Sequence, residues 1–378
     1  MQELIRTKIV LDKRILDKIY NMNRVILFTD SLGAGGAQRQ IVGLAQLLQE
    51  KSFDVTVLTY HNDEFYLPLL QKYAVNYVLL QNVQRPIRRI LKVLKFVKQN
   101  NPDTLIAYQE TPSLIACFIK MVLPKIKIIV SERNTTQVLD LKTKLRFFLY
   151  KWVDYIVPNS YSQGEYIKKC CPKLAYKIIT ISNFVDLQNF SPVKRVRKQK
   201  PTIMVAASIW PSKNTLGFID ALKIVKDRGF GFEVKWYGKS NLNIDYFNKS
   251  LQKIKALSLD DCVHLLDKSK DIKRKYDEAD FFCLPSFYEG TPNVICEAIS
   301  CGLPVLCSNV CDNSIYVYEN ENGFLFDPNS PENIADKIIC ALNMEEHFYY
   351  TYSKKSRIIA EEKLSSSLFI EKYLKIIK

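Results

Sequence analysis

Short apolar segments alternate with amphipathic segments along most of the chain. The segment RVILFTD at 24–30 is a continuous apolar run typical of a buried strand, and the glycine-rich turn SLGAGGAQ follows it. The next segment places Ile41, Leu44, Leu47 and Leu48 on one helical face, and a second apolar run, DVTVLTY, comes after it. Two strands joined by a helix are typical of a βαβ unit, so the pattern predicts a parallel sheet.

The same alternation continues through both halves of the chain. In the first half it predicts helices at 86–99, 112–123 and 139–152, and it predicts strands at TLIAY, KIIVSE, YIVPN and IITISNF. In the second half it predicts the strands TIMVAAS, FEVKWYG, CVHLL, FFCLPS, PVLCS and FLFD, with helices between most of them. We therefore predict an α/β protein with two doubly wound, Rossmann-like parallel-sheet domains that face a central cleft. Because ligands of such sheets bind beyond the carboxyl ends of the strands, that cleft is the expected site.

One basic, proline-containing segment interrupts the alternation. SPVKRVRKQK at 191–200 has no apolar periodicity and predicts a linker. It separates a predicted N-terminal domain at 23–190 from a C-terminal domain at 201–363, and residues 1–22 are an N-terminal extension. We expect the terminal helix at about 364–378 to pack back on the first domain.

Composition narrows the location of the protein. No segment approaches the ~20 apolar residues that span a bilayer, and the N-terminus lacks the apolar core of a signal peptide, so a cytoplasmic protein is expected. The ten cysteines are scattered, and the nearest cluster contains no CxxC pair. Reduced, mostly buried thiols are therefore favoured over disulfides or a zinc site.

Two glutamates lie eight positions apart in YEGTPNVICEAISCGLP at 288–304. Thr291 is a suitable N-cap and Pro292 suits a first helical turn, so Glu289 is expected in a loop and Glu297 on the second turn of the helix. The backbone amides at the start of such a helix point toward a bound anion or hydroxyl group. On spacing alone, a stabilised surface helix explains the pattern equally well.

The neighbouring segments favour a binding site. LPSFYEGTPNVICEAISCGLPVLCS closely resembles the E-x7-E signature of the retaining glycosyltransferases of family 4, which have the GT-B fold. Six further segments are similar to other blocks of that family, in the same order and over nearly the whole chain: VILFTDSLGAGGAQRQIVGLAQLL, SERN, VDYIVPNS, ISNFVDLQNF, AASIWPSKN and NENGFLFDP. The resemblance implies a hexosyltransferase-type enzyme (EC 2.4) that moves a sugar from a UDP- or GDP-linked donor to a glycan or lipid-linked acceptor, with retention, in cell-surface polysaccharide or glycoconjugate biosynthesis.

The resemblance also implies that the N-terminal domain at 23–190 binds the acceptor and that the C-terminal domain at 201–363 binds the nucleotide-sugar donor, and it implies roles for individual residues. Glu297 would accept hydrogen bonds from the donor ribose, Glu289 would face the transferred sugar, and Lys213 would neutralise the diphosphate. The donor would also contact residues of the helix start, the Lys213 loop and the glycine loop, namely Gly290, Thr291, Pro292, Asn293, Val294, Ser208, Gly35 and Gly36.

One position departs from the family pattern. Ser208 stands where relatives usually have an arginine that binds the diphosphate. Either another basic residue such as Lys239 replaces that arginine, or the phosphate is held less tightly. In the SERN block, Arg133 and Asn134 are expected to reach the donor or acceptor, and the alternative for Arg133 is an ion pair with Glu132.

Cofactors and metals are not expected. The chain contains no Asp-x-Asp motif, so the resemblance implies metal-independent transfer with the nucleotide-sugar as a substrate. The alternatives are a sugar-nucleotide epimerase or phosphorylase of the same fold, or a non-catalytic nucleotide-sugar-binding homologue, which the missing arginine would suit.

The formal net charge of +15 requires an explanation. No nucleic-acid-binding motif is present, so nucleic acid is not an expected partner. The segment IRRILKVLKFVK predicts an amphipathic helix whose apolar face consists of Ile87, Ile90, Leu91, Leu94 and Val97, and the segment Lys142–Trp152 adds basic and aromatic residues. The basic face of the helix consists of Arg88, Arg89, Lys92, Lys95 and Lys98. This face either is solvated or contacts an anionic membrane surface, and the lipid-linked acceptors of many relatives favour peripheral binding at the inner face of the membrane.

Overall fold

The computed structural model describes residues 23–133, 136, 138–196, 198–239, 243–269 and 271–378. The predicted extension at 1–22 and the predicted site residue Asn134 lie outside the described residues. The chain divides into two compact units. The first comprises the described residues up to Asn159 together with Gln163–Ile181 and Ile370–Lys378, and the second comprises Ser160–Ser162 and Ser182–Phe369.

The first unit contains a six-stranded parallel sheet with the order β3-β2-β1-β4-β5-β6. Its strands are β1 (Arg24–Phe28), β2 (Asp54–Thr59), β3 (Asn76–Leu79), β4 (Thr104–Tyr108), β5 (Lys127–Glu132) and β6 (Tyr155–Pro158). The helices that alternate with them are α1 (Gly36–Glu50), α2 (Leu67–Lys72), α3 (Pro86–Asn100), α4 (Glu110–Val122), α5 (Leu141–Leu149) and α6 (Tyr161–Cys170).

The second unit contains another six-stranded parallel sheet with the order β12-β11-β10-β7-β8-β9. Its strands are β7 (Thr202–Ala206), β8 (Glu233–Lys239), β9 (Val263–Asp267), β10 (Phe281–Leu284), β11 (Val305–Ser308) and β12 (Gly323–Phe326). The helices from β7 onward are α7 (Thr215–Asp227), α8 (Ile244–Ala256), α9 (Ile272–Glu278), α10 (Asn293–Ser300), α11 (Asn313–Tyr316), α12 (Pro331–Leu342), α13 (Glu346–Leu364) and α14 (Ser366–Ile377).

Three central strands of the two sheets are buried along their whole length. Every residue of β4, β7 and β10 is buried, which explains why these strands read as continuous apolar runs and not as alternating ones. The predicted α/β class with two doubly wound parallel sheets is therefore confirmed.

Two strands of the first half differ from the prediction. The predicted strand IITISNF is absent from the sheet, and Ile178 makes only an isolated bridge with Ile156. The edge strand β3 was not predicted, because its four residues are exposed or half-buried and the apolar run is short.

The predicted linker at 191–200 is wrong for its described residues, because this segment belongs to the second unit. Its Arg195 is buried and donates hydrogen bonds to the carbonyls of Tyr276, Ala279 and Cys301. Val185 precedes it and is also buried in the core of the second unit. The boundary between the two units therefore falls at Ser182. At least one basic residue of the 191–200 segment, Arg195, is part of the packed second unit and is not solvated.

The predicted apolar face of α3 is also only partly correct. Val93 and Val97 are the buried residues of this helix, whereas Ile87 and Leu91 are 75% and 57% exposed. The helix therefore presents apolar as well as basic side chains to its surroundings.

Candidate functional site

The loops that follow β7 and β10 lie side by side, because the two strands are parallel neighbours. The amide of Phe287, in the second loop, donates a hydrogen bond to the carbonyl of Ser212, in the first, over 2.9 Å. This contact brings Lys213 and Glu289 together, with 2.5 Å between Nζ and Oε1. The two side chains are 25% and 12% exposed, so an incoming charged ligand could reach both of them.

The loop that carries Lys213 is held in a defined conformation. It forms a short 3₁₀ turn, Pro211–Lys213, and Asn214 then adopts a left-handed conformation with φ 55°. Asparagine tolerates this conformation better than most residues do. The buried Asn214 side chain donates through Nδ2 to the carbonyl of Pro328 over 2.7 Å, which fixes the turn to the loop after β12.

Ser208 lies at the start of the same loop and is exposed. The preceding carbonyl, that of Ala207, accepts a hydrogen bond from Trp236 Nε1 over 2.7 Å. Gly238 packs so closely here that a Cβ atom would overlap the Ala207 carbonyl and lie 3.1 Å from the Ser208 nitrogen. The backbone around Ser208 therefore depends on a glycine in β8. Lys239, the proposed replacement cation, has its Nζ 3.9 Å from Asp267 Oδ1.

Glu297 is buried on α10, at 3% exposure. The hydroxyl of Tyr276, on α9, donates to Glu297 Oε2 over 2.9 Å and also lies 3.2 Å from the Val294 carbonyl. The carboxylate is thus oriented by a neutral donor. Sequence reasoning missed Tyr276, because nothing in the pattern of α9 distinguishes it from a core tyrosine.

The start of α10 differs from the prediction in one respect. The helix begins at Asn293 with Pro292 in the N-cap position, and no side chain caps it, so the prediction of Thr291 as N-cap is wrong. The amides of Asn293 and Val294 belong to the first turn, where helix geometry provides no acceptor within the helix. Asn293 Oδ1 accepts from Asn183 Nδ2 over 2.7 Å, and Asn183 is another residue that the sequence did not mark.

In the first unit, the glycine loop connects β1 to α1. Gly35 is the N-cap residue and Gly36 begins the helix. A Cβ atom on Gly33 would overlap Asp63, and one on Gly35 would overlap Gln38, so the loop packs closely on its own side chains. Gln38 in turn donates to Asp30 Oδ1 over 3.2 Å. The loop is therefore compact and its backbone is within reach of anything bound at this edge of the sheet.

Arg133 follows β5 and is buried. Its guanidinium group lies over the Tyr108 ring, 4.0 Å from the centroid, and donates to the Tyr373 hydroxyl over 2.8 Å. The carboxylate of the neighbouring Glu132 accepts a hydrogen bond from Tyr150 and lies 3.5 Å from Arg146 Nε. Burial raises the pKa of Glu132, and Arg146 opposes that shift. The arginine is therefore positioned by a tyrosine of the C-terminal helix.

All ten cysteines are free, and Cys296, Cys301 and Cys307 of the predicted cluster are buried. Among the residues that the structure describes, no group of three or more His, Cys, Asp or Glu side chains is arranged to hold a metal ion.

Two family models match the two halves of the chain. Residues 34–189 match the model described as Glycosyltransferase Family 4, and residues 200–344 match Glycosyl transferases group 1. The chain belongs to the family 4-like glycosyltransferases of the GT-B fold.

Individual relatives agree with this assignment. The glycosyltransferase is 26% identical to an uncharacterized glycosyltransferase of Haemophilus influenzae, over 90% of this chain and 96% of the relative. It is 24% identical to an Escherichia coli UDP-Gal:alpha-D-GlcNAc-diphosphoundecaprenol alpha-1,3-galactosyltransferase, over 80% and 84% of the two chains. Its fold resembles the crystal structure of Anabaena Alr3699/HepE in complex with UDP, with a TM-score of 0.81, 16% identity and coverage of 93% and 98%.

Proposed function

We propose that this glycosyltransferase moves a hexose-type sugar from a UDP-linked donor to a lipid-linked acceptor, with retention at the anomeric carbon and without a metal ion or other cofactor. The observation that carries the proposal is the Lys213–Glu289 pair, which places a cation and a carboxylate side by side at the carboxyl ends of β7 and β10. The UDP bound by the Anabaena protein and the UDP-sugar and diphospholipid in the name of the Escherichia coli relative support the choice of substrates.

In the proposed reaction, donor binding divides the ion pair. The ammonium group of Lys213 then contacts the diphosphate and stabilises the negative charge that develops on this leaving group. Glu289 then accepts hydrogen bonds from hydroxyl groups of the transferred sugar. Glu297, oriented by Tyr276, accepts from the two ribose hydroxyls.

The transfer step needs no nucleophile from the protein. The bond between the anomeric carbon and the diphosphate oxygen breaks, and its electron pair leaves with UDP. The acceptor oxygen forms its bond on the same face of the sugar, and its proton passes to the departing diphosphate oxygen. UDP and the glycosylated acceptor are the products, and the anomeric configuration is retained.

Substitution of the two glutamates tests the assignment. We expect Glu297→Ala to abolish UDP binding by isothermal titration calorimetry, whereas Glu289→Ala should bind UDP and lower kcat by about 100- to 1000-fold. Glu321→Gln, on the exposed surface, is the control and should behave as wild type. Unchanged UDP affinity in the first variant together with unchanged turnover in the second would refute the site.

Two further measurements address the remaining parts of the proposal. NMR of the product shows whether the anomeric configuration of the donor is retained, and an inverted product would contradict the same-face step. Activity in excess EDTA should equal activity in buffer, and a loss that Mg²⁺ or Mn²⁺ restores would contradict metal independence.

We also propose that the first unit contacts an anionic membrane surface at the cytoplasmic side, where nucleotide-sugars are made. Helix α4 packs against α3 and α5, and α3 and α5 expose apolar side chains beside basic ones. We call this surface the basic–apolar face, and it consists of Ile87, Leu91, Leu141, Leu145 and Phe148 with Arg88, Lys95, Lys142, Lys144 and Lys151. Such a mixture suits the headgroup region of a membrane. Within the described part of the chain, every helix is too short or too polar to cross a bilayer.

Vesicle co-sedimentation tests this contact. The protein should sediment with phosphatidylglycerol vesicles at low salt, and binding should fall as salt rises because the charges are screened. Leu145→Ser with Phe148→Ser should weaken binding, whereas Phe348→Ser, at an exposed phenylalanine of the second unit, should not. Equal binding of the two variants, or no binding of the wild type, would exclude this face.

A further inference from the structure

The first unit contains a pocket of about 390 Å³, and none of its lining residues has a role in the transfer step described above. It lies at the carboxyl ends of β2 and β3, and its lining consists of residues 60–62, residues 79–84 and Arg89. Most of the polar side chains in this lining are neutral amides, from Asn62, Gln81, Asn82 and Gln84. Neutral amides with one fixed cation are suited to a ligand that carries both hydroxyl groups and an anionic group.

Arg89 is held in place from two sides. Its Nε donates to the Val83 carbonyl over 3.1 Å, and its guanidinium carbon lies 4.3 Å from the centroid of the Tyr60 ring. An arginine has five N–H donors, and the hydrogen bond to Val83 uses one of them. These contacts therefore orient the guanidinium group and leave N–H donors for a ligand. Burial raises the pKa of Tyr60 to about 12, and the phenol beside Arg89 therefore stays neutral and does not cancel its charge.

One wall of the pocket is tied to the glycine loop. The carbonyl of Asp30 accepts hydrogen bonds from the amides of Tyr60 and His61, over 3.2 and 2.8 Å. The carboxylate of Asp30 accepts from the Ser31 amide and from Gln38 Nε2, so it has partners within the loop. Residues 60 and 61 of the pocket wall are therefore fixed to the chain segment that leads into the glycine loop.

The opposite wall includes Arg89 of helix α3, and other residues of this helix belong to the basic–apolar face. Arg89 lies in the first turns of α3, and the same helix exposes Ile87 and Leu91. Lys92, one turn further on, donates to the carbonyl of Gln81 over 2.6 Å and so fixes the 79–84 segment to the helix. A ligand in the pocket would thus contact Arg89 on the helix that also exposes Ile87 and Leu91.

We propose that this pocket binds the phosphate-linked saccharide head of a lipid-anchored acceptor, with Arg89 on the phosphate. In such a molecule the phosphate lies at the boundary between lipid and water, with the sugar on its aqueous side. The pocket offers matching groups, because Arg89 lies on the helix that exposes Ile87 and Leu91 and the other polar side chains of the lining are mostly amides. The inference rests on the proposed function for the nature of the acceptor.

Kinetics of two neighbouring arginine variants test the inference. Arg89→Met keeps the packing stem and removes the charged fork, and it should raise the KM for a sugar diphosphate with a short alkyl chain at least tenfold while the KM for the UDP-sugar stays unchanged. Arg89→Lys should recover only part of the affinity, because it restores the charge without the fork. Arg88→Met, at an exposed neighbour outside the lining, should change either KM less than twofold. A folded Arg89→Met protein with the wild-type acceptor KM would overturn the inference and leave the proposed function intact.

A direct binding measurement tests the pocket independently of the transfer reaction. Calorimetry with the same alkyl diphosphate sugar, without any donor, should show binding to wild type and its loss in Arg89→Met, even if no UDP-sugar supports transfer. That combination would contradict the proposed function and support the pocket. Inorganic pyrophosphate and the phosphate-free methyl glycoside should each bind at least tenfold more weakly. Equal affinity for pyrophosphate would show a simple phosphate site, and absence of probe binding to wild type would exclude the pocket altogether.

Discussion

Tyr276 supplies Glu297 with a hydrogen bond that the E-x7-E signature does not include. A buried carboxylate without such a donor would be poorly solvated and free to rotate, and the ribose contact proposed for Glu297 requires a fixed orientation. Lys213 gives Glu289 a comparable partner over 2.5 Å, but that partner is a charge. The two glutamates of the motif therefore have different partners. Glu297 accepts a hydrogen bond from a neutral hydroxyl group, whereas Glu289 pairs with a lysine that the diphosphate of the proposed sugar donor would attract.

We predict that Tyr276→Phe weakens UDP binding without removing it. The substitution keeps the buried ring and deletes only the hydroxyl that contacts Glu297 and the Val294 carbonyl. A lost hydrogen bond to a charged group costs about 1.5–3 kcal/mol, equivalent to a roughly 10- to 100-fold higher Kd for UDP. Tyr176→Phe, on a 79% exposed side chain, is the matched control for calorimetry. An unchanged Kd in Tyr276→Phe would mean that Glu297 is oriented by other contacts.

The elements of the fold show which features a local pattern encodes. Buried strands such as β4 and β10 were predicted because burial on both faces leaves a continuous apolar run. The edge strand β3 was missed because exposure on an edge removes that signal. Arg195 contributed to the prediction of a solvated linker at 191–200, although it is buried and donates to three carbonyls. A sequence does not distinguish such a buried arginine from a solvated one.

At the scale of elements, we predict that Gly238→Ala destabilises both β8 and the loop after β7. A Cβ atom would overlap the Ala207 carbonyl, which also accepts from Trp236, and the strand cannot move away without breaking its pairing with β7. We expect the variant to lose more than about 3 kcal/mol of unfolding free energy in urea titrations. Gly231→Ala has no atom within 4 Å of the new Cβ and should change stability by less than about 1 kcal/mol. Similar stabilities of the two variants would show that the loop adapts.

Over the whole molecule, the order of the motifs predicts the family and the fold, but the sequence does not predict which distant residues contact each other. The family and the two sheets could be predicted from the sequence, because each motif and each strand is a short run of neighbouring residues. The contacts that give the site its geometry join distant positions: Lys213 with Glu289 are 76 apart, and Asn183 with Asn293 are 110 apart. A single sequence records the burial of each residue through its neighbours but contains no signal for its distant partner.

The buried thiols predict how the whole chain responds to alkaline pH. Burial raises the pKa of Cys117 in the first unit and of Cys301 in the second to about 12, from 9.0 for an exposed thiol. The folded state therefore keeps protons that the unfolded chain releases above pH 9, so stability is complete below that pH and is lost as pH rises toward 12. Each thiol should lower the unfolding free energy by about 1.4 kcal/mol per pH unit within this window.

Urea titrations at pH 8, 9, 10 and 10.5 measure this dependence. The variant with Cys117→Ala and Cys301→Ala should start from a lower stability at pH 8, because two buried side chains are truncated, yet its stability should decline less steeply above pH 9. Cys340→Ala removes an exposed thiol and should leave the wild-type slope unchanged. Parallel slopes for the wild type and the double variant would mean that these two thiols ionise alike in the folded and unfolded chains, and the alkaline loss would then have to come from other groups.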